Sequence, residues 1–139
     1  MLAVDTSVLI DLLAAGSFAD AAEECLREAL SQGPVVACEV VVSEVVSGLG
    51  QGQAVADALR DMGIAYSSLA LPSALRAGEM QAQYRQRTKA RPIATAQLRM
   101  VPDFLIGAHA LLQCQGLITR DRGFFRDYFK GLTLVVPAL

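Results

Sequence analysis

The chain opens with MLAVDTSVLIDLL, residues 1–13, in which a short apolar run ends at Asp5 and two hydroxyl residues come directly behind it. Residues 2–5 have the length and composition of a buried strand in a parallel sheet, and residues 7–14 have the apolar spacing of a helix. A carboxylate at the junction of a buried strand and a helix either caps the helix or belongs to a site. The rest of the chain decides between these two interpretations.

The same alternation of short apolar runs with amphipathic stretches continues to the end of the sequence. Residues 39–49 are rich in valine, which favours strands, but eleven residues would make a long strand and we predict a helix there. We predict strands over residues 2–5, 35–37, 64–69, 117–119 and 132–136, helices over 7–14, 18–30, 39–49, 53–62, 73–88, 104–113 and 122–129, and a basic loop over 89–100.

Strands that alternate with helices predict an α/β fold, a three-layer α/β/α sandwich with a central parallel sheet of four or five strands. A length of 139 residues is typical of one domain, so we predict a single domain over residues 1–139. In such sheets ligands bind beyond the carboxyl ends of the strands, where the strand order reverses.

Composition excludes several classes of protein. Hydrophobic residues make up 53% of the chain and charged residues 19%, which is too apolar for a disordered protein. The longest apolar runs are too short to cross a membrane, and the first residues lack the basic start of a signal peptide, so we expect a cytoplasmic protein without membrane contact. Three cysteines without a C-x-x-C spacing and one histidine indicate reduced thiols rather than a zinc site or a disulfide framework.

The charges are distributed unevenly along the chain. Ten acidic and two basic residues precede Leu75, whereas four acidic and ten basic residues follow it. Clustered acids are stable where cations bind them, and clustered bases attract polyanions such as nucleic acid. The asymmetry fits a protein that binds both, although the net charge of -2 indicates neither.

Four carboxylates lie at predicted strand ends or helix starts, each beside apolar residues. Taken singly, Asp5, Asp103 and Asp121 are better explained as caps or turn residues than as site residues, and Glu44 as an exposed helix residue. In a doubly wound sheet, however, all four positions fall on the carboxyl edge. Carboxylates that share one site repel each other unless a cation binds there, and oxygen ligands without histidine or cysteine select Mg2+ or Mn2+. Such a site suits phosphoryl chemistry, with Thr119 as a further polar group.

Each of the four acids lies in a short segment of mostly apolar residues. The segments are Val4-Asp5-Thr-Ser-Val-Leu-Ile-Asp11, Val42-Ser-Glu44-Val, Pro102-Asp103-Phe-Leu-Ile-Gly-Ala-His109-Ala and Leu117-Ile-Thr-Arg-Asp121-Arg-Gly-Phe-Phe. In this order they resemble the acidic motifs of PIN-domain ribonucleases, including the VapC toxins of bacterial toxin–antitoxin pairs. The resemblance covers essentially the whole chain.

This resemblance implies a PIN-like fold and a Mg2+- or Mn2+-dependent endoribonuclease that hydrolyses RNA phosphodiesters with a metal-activated water. It also implies the toxin role in a type II toxin–antitoxin system, an antitoxin partner and a homodimer. Carried over by motif, the metal-binding and catalytic acids are Asp5, Glu44, Asp103 and Asp121, with Thr119 as a catalytic helper. Asp121 is less firmly implied as a ligand because the family often has asparagine there. Among the basic residues that flank these motifs, we predict RNA contacts for Arg91, Arg120 and Arg122.

Other classes of protein also place acids at strand ends. A phospho-accepting receiver domain requires an acid after the third strand and a lysine after the fifth, and this chain has neither. A haloacid-dehalogenase-like phosphatase requires a second aspartate where this chain has Ser7. The remaining alternative is a catalytically degenerate PIN-like protein that binds RNA or a partner without cleaving.

Overall fold

A computed structural model describes residues 1–90 and 101–138 of the chain. The strands are β1 (Leu2–Val4), β2 (Val35–Ala37), β3 (Ile64–Tyr66), β4 (Gly116–Ile118) and β5 (Leu134–Val135). The helices are α1 (Thr6–Leu13), α2 (Ala19–Gln32), α3 (Glu39–Leu49), α4 (Gly52–Met62), α5 (Leu71–Ala90), α6 (Val101–Gln113) and α7 (Arg122–Tyr128).

The five strands form one parallel sheet in the order β3-β2-β1-β4-β5. The chain first moves from β1 outward to β3 and then returns past β1 to β4 and β5. Right-handed crossovers therefore place α1–α4 on one face and α5–α7 on the other. This arrangement confirms the predicted α/β/α sandwich, and it puts the reversal of strand order between β1 and β4.

The core is aliphatic around the strands and aromatic beneath α7. All three residues of β2 and of β4 are buried, as expected for strands that helices cover on both faces. Phe104 packs edge-to-face on Phe124, with ring centroids 5.3 Å apart, and Tyr84 of α5 lies 5.4 Å from Phe104. This aromatic cluster fixes α5, α6 and α7 against one another.

The valine-rich segment over residues 39–49 is a helix, as predicted. α3 ends at Gly50, which adopts a left-handed conformation with φ 82° and donates its backbone N–H to the Val46 carbonyl. A residue without Cβ adopts this conformation without strain, so the glycine ends the helix where the sequence predicted. None of the helices within the described ranges has the length and apolar character needed to cross a membrane.

The third strand is shorter than predicted. The sequence predicted residues 64–69, but β3 ends at Tyr66. The Ser67 amide still donates to the Ala37 carbonyl at 2.9 Å, and side chains replace the sheet ladder after it. Glu39 of α3 accepts hydrogen bonds from the Ser68 hydroxyl at 2.9 Å and the Leu69 amide at 2.7 Å. The second bond satisfies a backbone amide of a segment that has left the sheet, and the first holds the Ser68 side chain beside it.

Both ends of α5 and the start of α6 were also predicted wrongly, since α6 begins at Val101 rather than at residue 104. α5 begins at Leu71 rather than at residue 73, because Ser73 is buried and donates its hydroxyl to Gln113 at 2.8 Å instead of starting the helix. Pro72 lies in the first turn, where its missing N–H costs nothing. The helix continues through Lys89 and Ala90, so the predicted loop is wrong there, and its remainder lies outside the described residues.

Candidate active site

Asp5 lies at the carboxyl end of β1, beside β4, at the position where the strand order reverses. Its backbone amide continues the ladder by donating to the Ile118 carbonyl at 2.8 Å. Although Asp5 occupies the N-cap position of α1, its side chain makes no capping hydrogen bond. The carboxylate instead accepts bonds at Oδ2 from the hydroxyls of Thr119, at 2.7 Å, and Ser7, at 3.2 Å.

The protonation of Asp5 is strongly perturbed. The side chain is 7% exposed, and this burial raises the pKa of Asp5 from 3.8 to about 6. Hydrogen bonds from Thr119 and Ser7 lower the pKa, whereas the charge of Asp103 raises it. A buried carboxylate beside a second carboxylate is stabilised in its ionised form by a bound cation.

Thr119 joins the ends of two segments of the site. Its hydroxyl donates to Asp5 and accepts the backbone amide of Asp121 at 2.9 Å. Thr119 is fully buried, so this geometry is fixed by its surroundings. Asp121 precedes α7 at the N-cap position, and its side chain does not cap that helix. The structure thus brings Asp5, Thr119 and Asp121 to one edge of the sheet.

Glu44 and Asp103 reach the same edge from two helices. Glu44 lies in the middle of α3, where its Oε1 accepts the Thr6 hydroxyl at 2.7 Å, so it stands beside the first residue of α1. Asp103 lies in the first turn of α6, where its charge acts on Asp5. The sequence predicted both acids at helix starts near this edge. This is correct for Asp103, whereas Glu44 lies in the middle of its helix.

The donor set of this edge suits a hard divalent cation. The groups that converge here are carboxylates and hydroxyls, the oxygen ligands that Mg2+ and Mn2+ prefer. Burial and the charge of Asp103 raise the pKa of Asp5, and a cation bound here would stabilise its ionised form. In the part of the chain that the structure describes, however, no three histidine, cysteine or acidic side chains come close enough to enclose a metal ion.

The three arginines predicted to bind RNA differ in their surroundings. Arg91 lies outside the described residues. Arg120 binds both carboxylate oxygens of Asp11, at 2.6 and 3.1 Å, and its guanidinium lies 4.2 Å from the ring centroid of Phe18. Arg122, the first residue of α7, is exposed next to Asp121.

The bond between Asp11 and Arg120 was not predicted, because 109 residues separate the two in sequence. We call these two residues and Phe18 the α1–β4 clasp. Through Arg120, which lies between Thr119 and Asp121, it connects this segment to α1 and to the start of α2. Opposite charges at such a separation give no local signal, since many pairings are possible along one chain.

His109 forms a separate polar contact away from the site acids. Its ring is 1% exposed, and Nε2 lies 3.1 Å from the Ser67 hydroxyl. Burial lowers the pKa of His109, although the nearby charge of Glu39 opposes the shift. The histidine therefore holds the segment after β3 against α6.

Comparisons with known proteins agree with this geometry. A family model described as the PIN domain matches residues 2–130. No curated protein sequence matches the chain.

Several solved structures share the fold. VapBC2 from Rickettsia felis, bound to a DNA fragment from its promoter, is 17% identical, with a TM-score of 0.72 and 97% of each chain covered. A toxin–antitoxin complex from Klebsiella pneumoniae is 25% identical, with a TM-score of 0.61, and covers 99% of this chain and 98% of its own. VapC20 from Mycobacterium tuberculosis, a Sarcin–Ricin loop cleaving toxin, is 20% identical, with a TM-score of 0.65. The match covers 96% of this chain and 97% of VapC20.

Proposed function

Because the chain belongs to the PIN-domain family, we propose that it is a Mg2+- or Mn2+-dependent endoribonuclease and the toxin of a type II toxin–antitoxin pair. The observation that carries this proposal is the Thr119 hydroxyl, which connects the buried Asp5 carboxylate to Asp121 where the strand order reverses. A buried acid held by hydroxyls instead of capping its helix fits a ligand site better than a structural cap.

We assign the cation to Asp5 and Asp103, with Glu44 and Asp121 as further ligands. When bound, the cation would lower the pKa of a water and neutralise charge on the phosphate. The hydroxyls of Thr119 and Ser7 fix the orientation of the Asp5 carboxylate, and Thr6 fixes that of Glu44. These hydrogen bonds hold each oxygen in place before the substrate arrives.

RNA is the proposed substrate. The Sarcin–Ricin loop cleaving activity in the name of one structural neighbour supports this class of substrate. Arg122 is the arginine best placed to contact a phosphate, because it is exposed and adjoins Asp121. Arg120 contributes less to RNA binding, since its guanidinium is occupied by Asp11.

The proposed partners are a cognate antitoxin and a second copy of the chain. Solved neighbours include toxin–antitoxin complexes from Rickettsia felis, Klebsiella pneumoniae and Haemophilus influenzae. An antitoxin for this chain would be the product of an adjacent reading frame. Co-expression of that product with the tagged chain, followed by purification on the tag, tests the assignment.

The nuclease proposal is tested with purified protein and a defined RNA. We expect cleavage in Mg2+ or Mn2+ that leaves 5'-phosphate and 3'-hydroxyl ends and stops when EDTA is added. The double variant Asp5→Asn and Asp103→Asn should lose at least about 100-fold in rate, the order expected when groups that stabilise developing charge are removed. Cleavage that persists in EDTA, or full activity in the double variant, contradicts the proposal.

A degenerate PIN-like protein that binds without cleaving is the second candidate. The absence of a three-acid cluster in residues 1–90 and 101–138 is the observation that favours it. Thermal melting in increasing Mg2+ distinguishes the two, because a ligand of the folded state stabilises it in proportion to ln(1 + [L]/Kd). We expect the wild-type melting temperature to rise with Mg2+ and that of Asp5→Asn to stay constant.

A further inference from the structure

A groove runs between α7 and β5, beside the candidate active site. It has a volume of about 630 Å3, and we call it the α7–β5 groove. One wall carries the cationic side chains of Arg122, Arg126 and Lys130, and the other carries the apolar side chains of Leu132, Leu134 and Val136. Arg122 and Arg126 are one helical turn apart and therefore share a face of α7.

Both walls of the groove begin at the candidate active site. On the cationic wall, Arg122 directly follows Asp121 in the chain. On the apolar wall, Val136 follows Val135, whose carbonyl accepts the Thr119 amide at 3.0 Å. Thr119 in turn donates its hydroxyl to Asp5. A polymer held at Asp5 would therefore enter the groove within a residue or two of the acids.

The charges of the groove favour a polyanion. No carboxylate belongs to its described lining, and neither Arg122 nor Lys130 forms an ion pair within the described ranges. Arg126 pairs with Asp127 at 3.0 Å, but both side chains are more than half exposed, so this pair is weak.

A neighbouring cavity between α5 and α7 shows the contrast. That cavity, of about 400 Å3, has Glu79 and Asp127 beside its cationic residues. The carboxylates partly cancel the positive potential there, whereas the α7–β5 groove keeps it. The groove is therefore the stronger site for a phosphate backbone.

The apolar wall favours a single strand. Leu134 lies in β5 and Val136 directly follows that strand, and both side chains line the groove. A single strand can place its phosphates against cations and its exposed bases against an apolar surface, whereas a duplex buries its base faces. We propose that the α7–β5 groove binds the single-stranded RNA that adjoins the scissile phosphodiester. This inference rests on the proposed RNA substrate and adds where the substrate lies.

The test compares two variants with the same change in charge. In the groove variant, Arg126 and Lys130 are both replaced by glutamate. In the control variant, Arg27→Glu and Arg60→Glu reverse two exposed arginines that also pair with acids on their own helix. The probes are fluorescein-labelled oligouridines of about 16 and about four nucleotides, which span the site sizes of single-strand binders. Fluorescence anisotropy gives the Kd in the Asp5→Asn background, so that cleavage does not interfere.

We expect the groove variant to bind the long probe about 20-fold more weakly at 0.1 M salt, with a salt slope smaller by about 1.4, the effect of two lost phosphate contacts. The short probe, held near the acids, should bind with little change, and the control variant should match the parent. If the double substitution prevents folding, Lys130→Glu alone should lower the slope by about 0.7.

Three results overturn the inference. Equal affinity of groove and control variants for the long probe means that RNA does not use the groove. Equal losses for both probes place the contact at the acids instead. Loss of antitoxin binding with unchanged RNA binding makes the groove a protein-binding surface. If the parent binds no RNA, the proposed substrate fails together with the inference, whereas a wild-type chain that binds RNA in Mg2+ without cleaving it contradicts only the nuclease proposal.

Discussion

At the scale of single residues, Asp5 has conflicting roles in folding and in binding. Folding buries its carboxylate, and burial with the charge of Asp103 raises its pKa from 3.8 to about 6. The ionised form is therefore less stable in the folded chain than in the unfolded chain. Residues that must bind a cation often carry such a penalty, because the ligand removes it.

The sign of this effect predicts how Asp5→Asn changes stability. Below pH 3.8 the carboxyl is protonated in both states and the pKa shift has no effect on stability. As the pH rises from 3.8 to about 6, the folded chain binds more protons than the unfolded chain, so wild-type stability falls. At pH 7 without metal, Asp5→Asn should be more stable than the wild type by up to about 3 kcal/mol.

Urea denaturation in EDTA at pH 4 and pH 7 measures this difference. The amide oxygen of the variant can still accept the Thr119 hydroxyl, so the fold should be preserved. Asp20→Asn, at an exposed position of α2, is the control and should change stability by less than about 0.5 kcal/mol at both pH values. A variant no more stable than wild type at pH 7 would show that the buried carboxylate is not destabilising.

The sequence predicted some members of the site and not others, for a physical reason. Asp5 ends a buried strand, and this position is visible in the local pattern of residues. The bond between Thr119 and Asp5 spans 114 residues, so it depends on the pairing of β1 with β4. The sequence predicted Thr119 as a polar group of the site but not its bond to Asp5, and the α1–β4 clasp, which matches no motif, was missed.

At the scale of elements, the α1–β4 clasp should stabilise the segment that carries Thr119 and Asp121. Arg120→Ala should lower the free energy of unfolding by about 1–2 kcal/mol, because it removes a two-pronged hydrogen bond and a contact with Phe18. The arginine side chain is 42% exposed, and solvent screening keeps the effect in this modest range.

A double-mutant cycle with Asp11→Ala measures the pairwise part of this effect. We expect a coupling energy of about 1 kcal/mol. The exposed pair of Arg27 and Glu23 is the matched control, with an expected coupling below about 0.5 kcal/mol. Equal coupling in the two cycles would mean that burial of Asp11 adds nothing to the clasp.

The contact between α6 and α7 depends on a residue without a side chain. A Cβ built on Gly107 would lie 2.4 Å from ring atoms of Phe129, whose ring is fully buried and cannot move away freely. Gly107→Ala should therefore destabilise the protein by about 1–3 kcal/mol. Thermal melting measures this loss. In the same experiment Gly123→Ala in α7, where a Cβ meets nothing within 4 Å, is the control and should be neutral or slightly stabilising.

Element boundaries were predictable where local signals decide them and not where distant side chains do. α3 has the predicted bounds, and it ends where Gly50 stops it. β3 was predicted too long because its apolar and hydroxyl residues favour a strand, whereas hydrogen bonds to Glu39 and Gln113 remove residues 68–70 from the sheet. Those acceptors come from α3 and α6, which no pattern within the strand can show.

At the scale of the whole molecule, the candidate acids lie near the middle of the sheet, whereas an exposed apolar surface lies beside its edge strand β3. Three of the most exposed large apolar side chains lie at the end of β3 and the start of α5: Tyr66, Leu71 and Leu75 are 63%, 71% and 59% exposed. Leu71 and Leu75 are one turn apart on α5 and so share a face. Clusters of exposed apolar residues are typical of surfaces that bind another chain.

The homodimer implied by the resemblance gives this surface a testable role. We expect the wild type to elute with light-scattering mass near twice its 14.8 kDa, and Leu71→Lys with Leu75→Lys to elute as a monomer. Lysines that face their symmetry mates across a two-fold interface lose hydration and repel each other, which weakens the dimer. Leu49→Lys, at the end of α3, is the control and should remain dimeric. A dimeric double variant would move the interface elsewhere, and a monomeric wild type would contradict the homodimer itself.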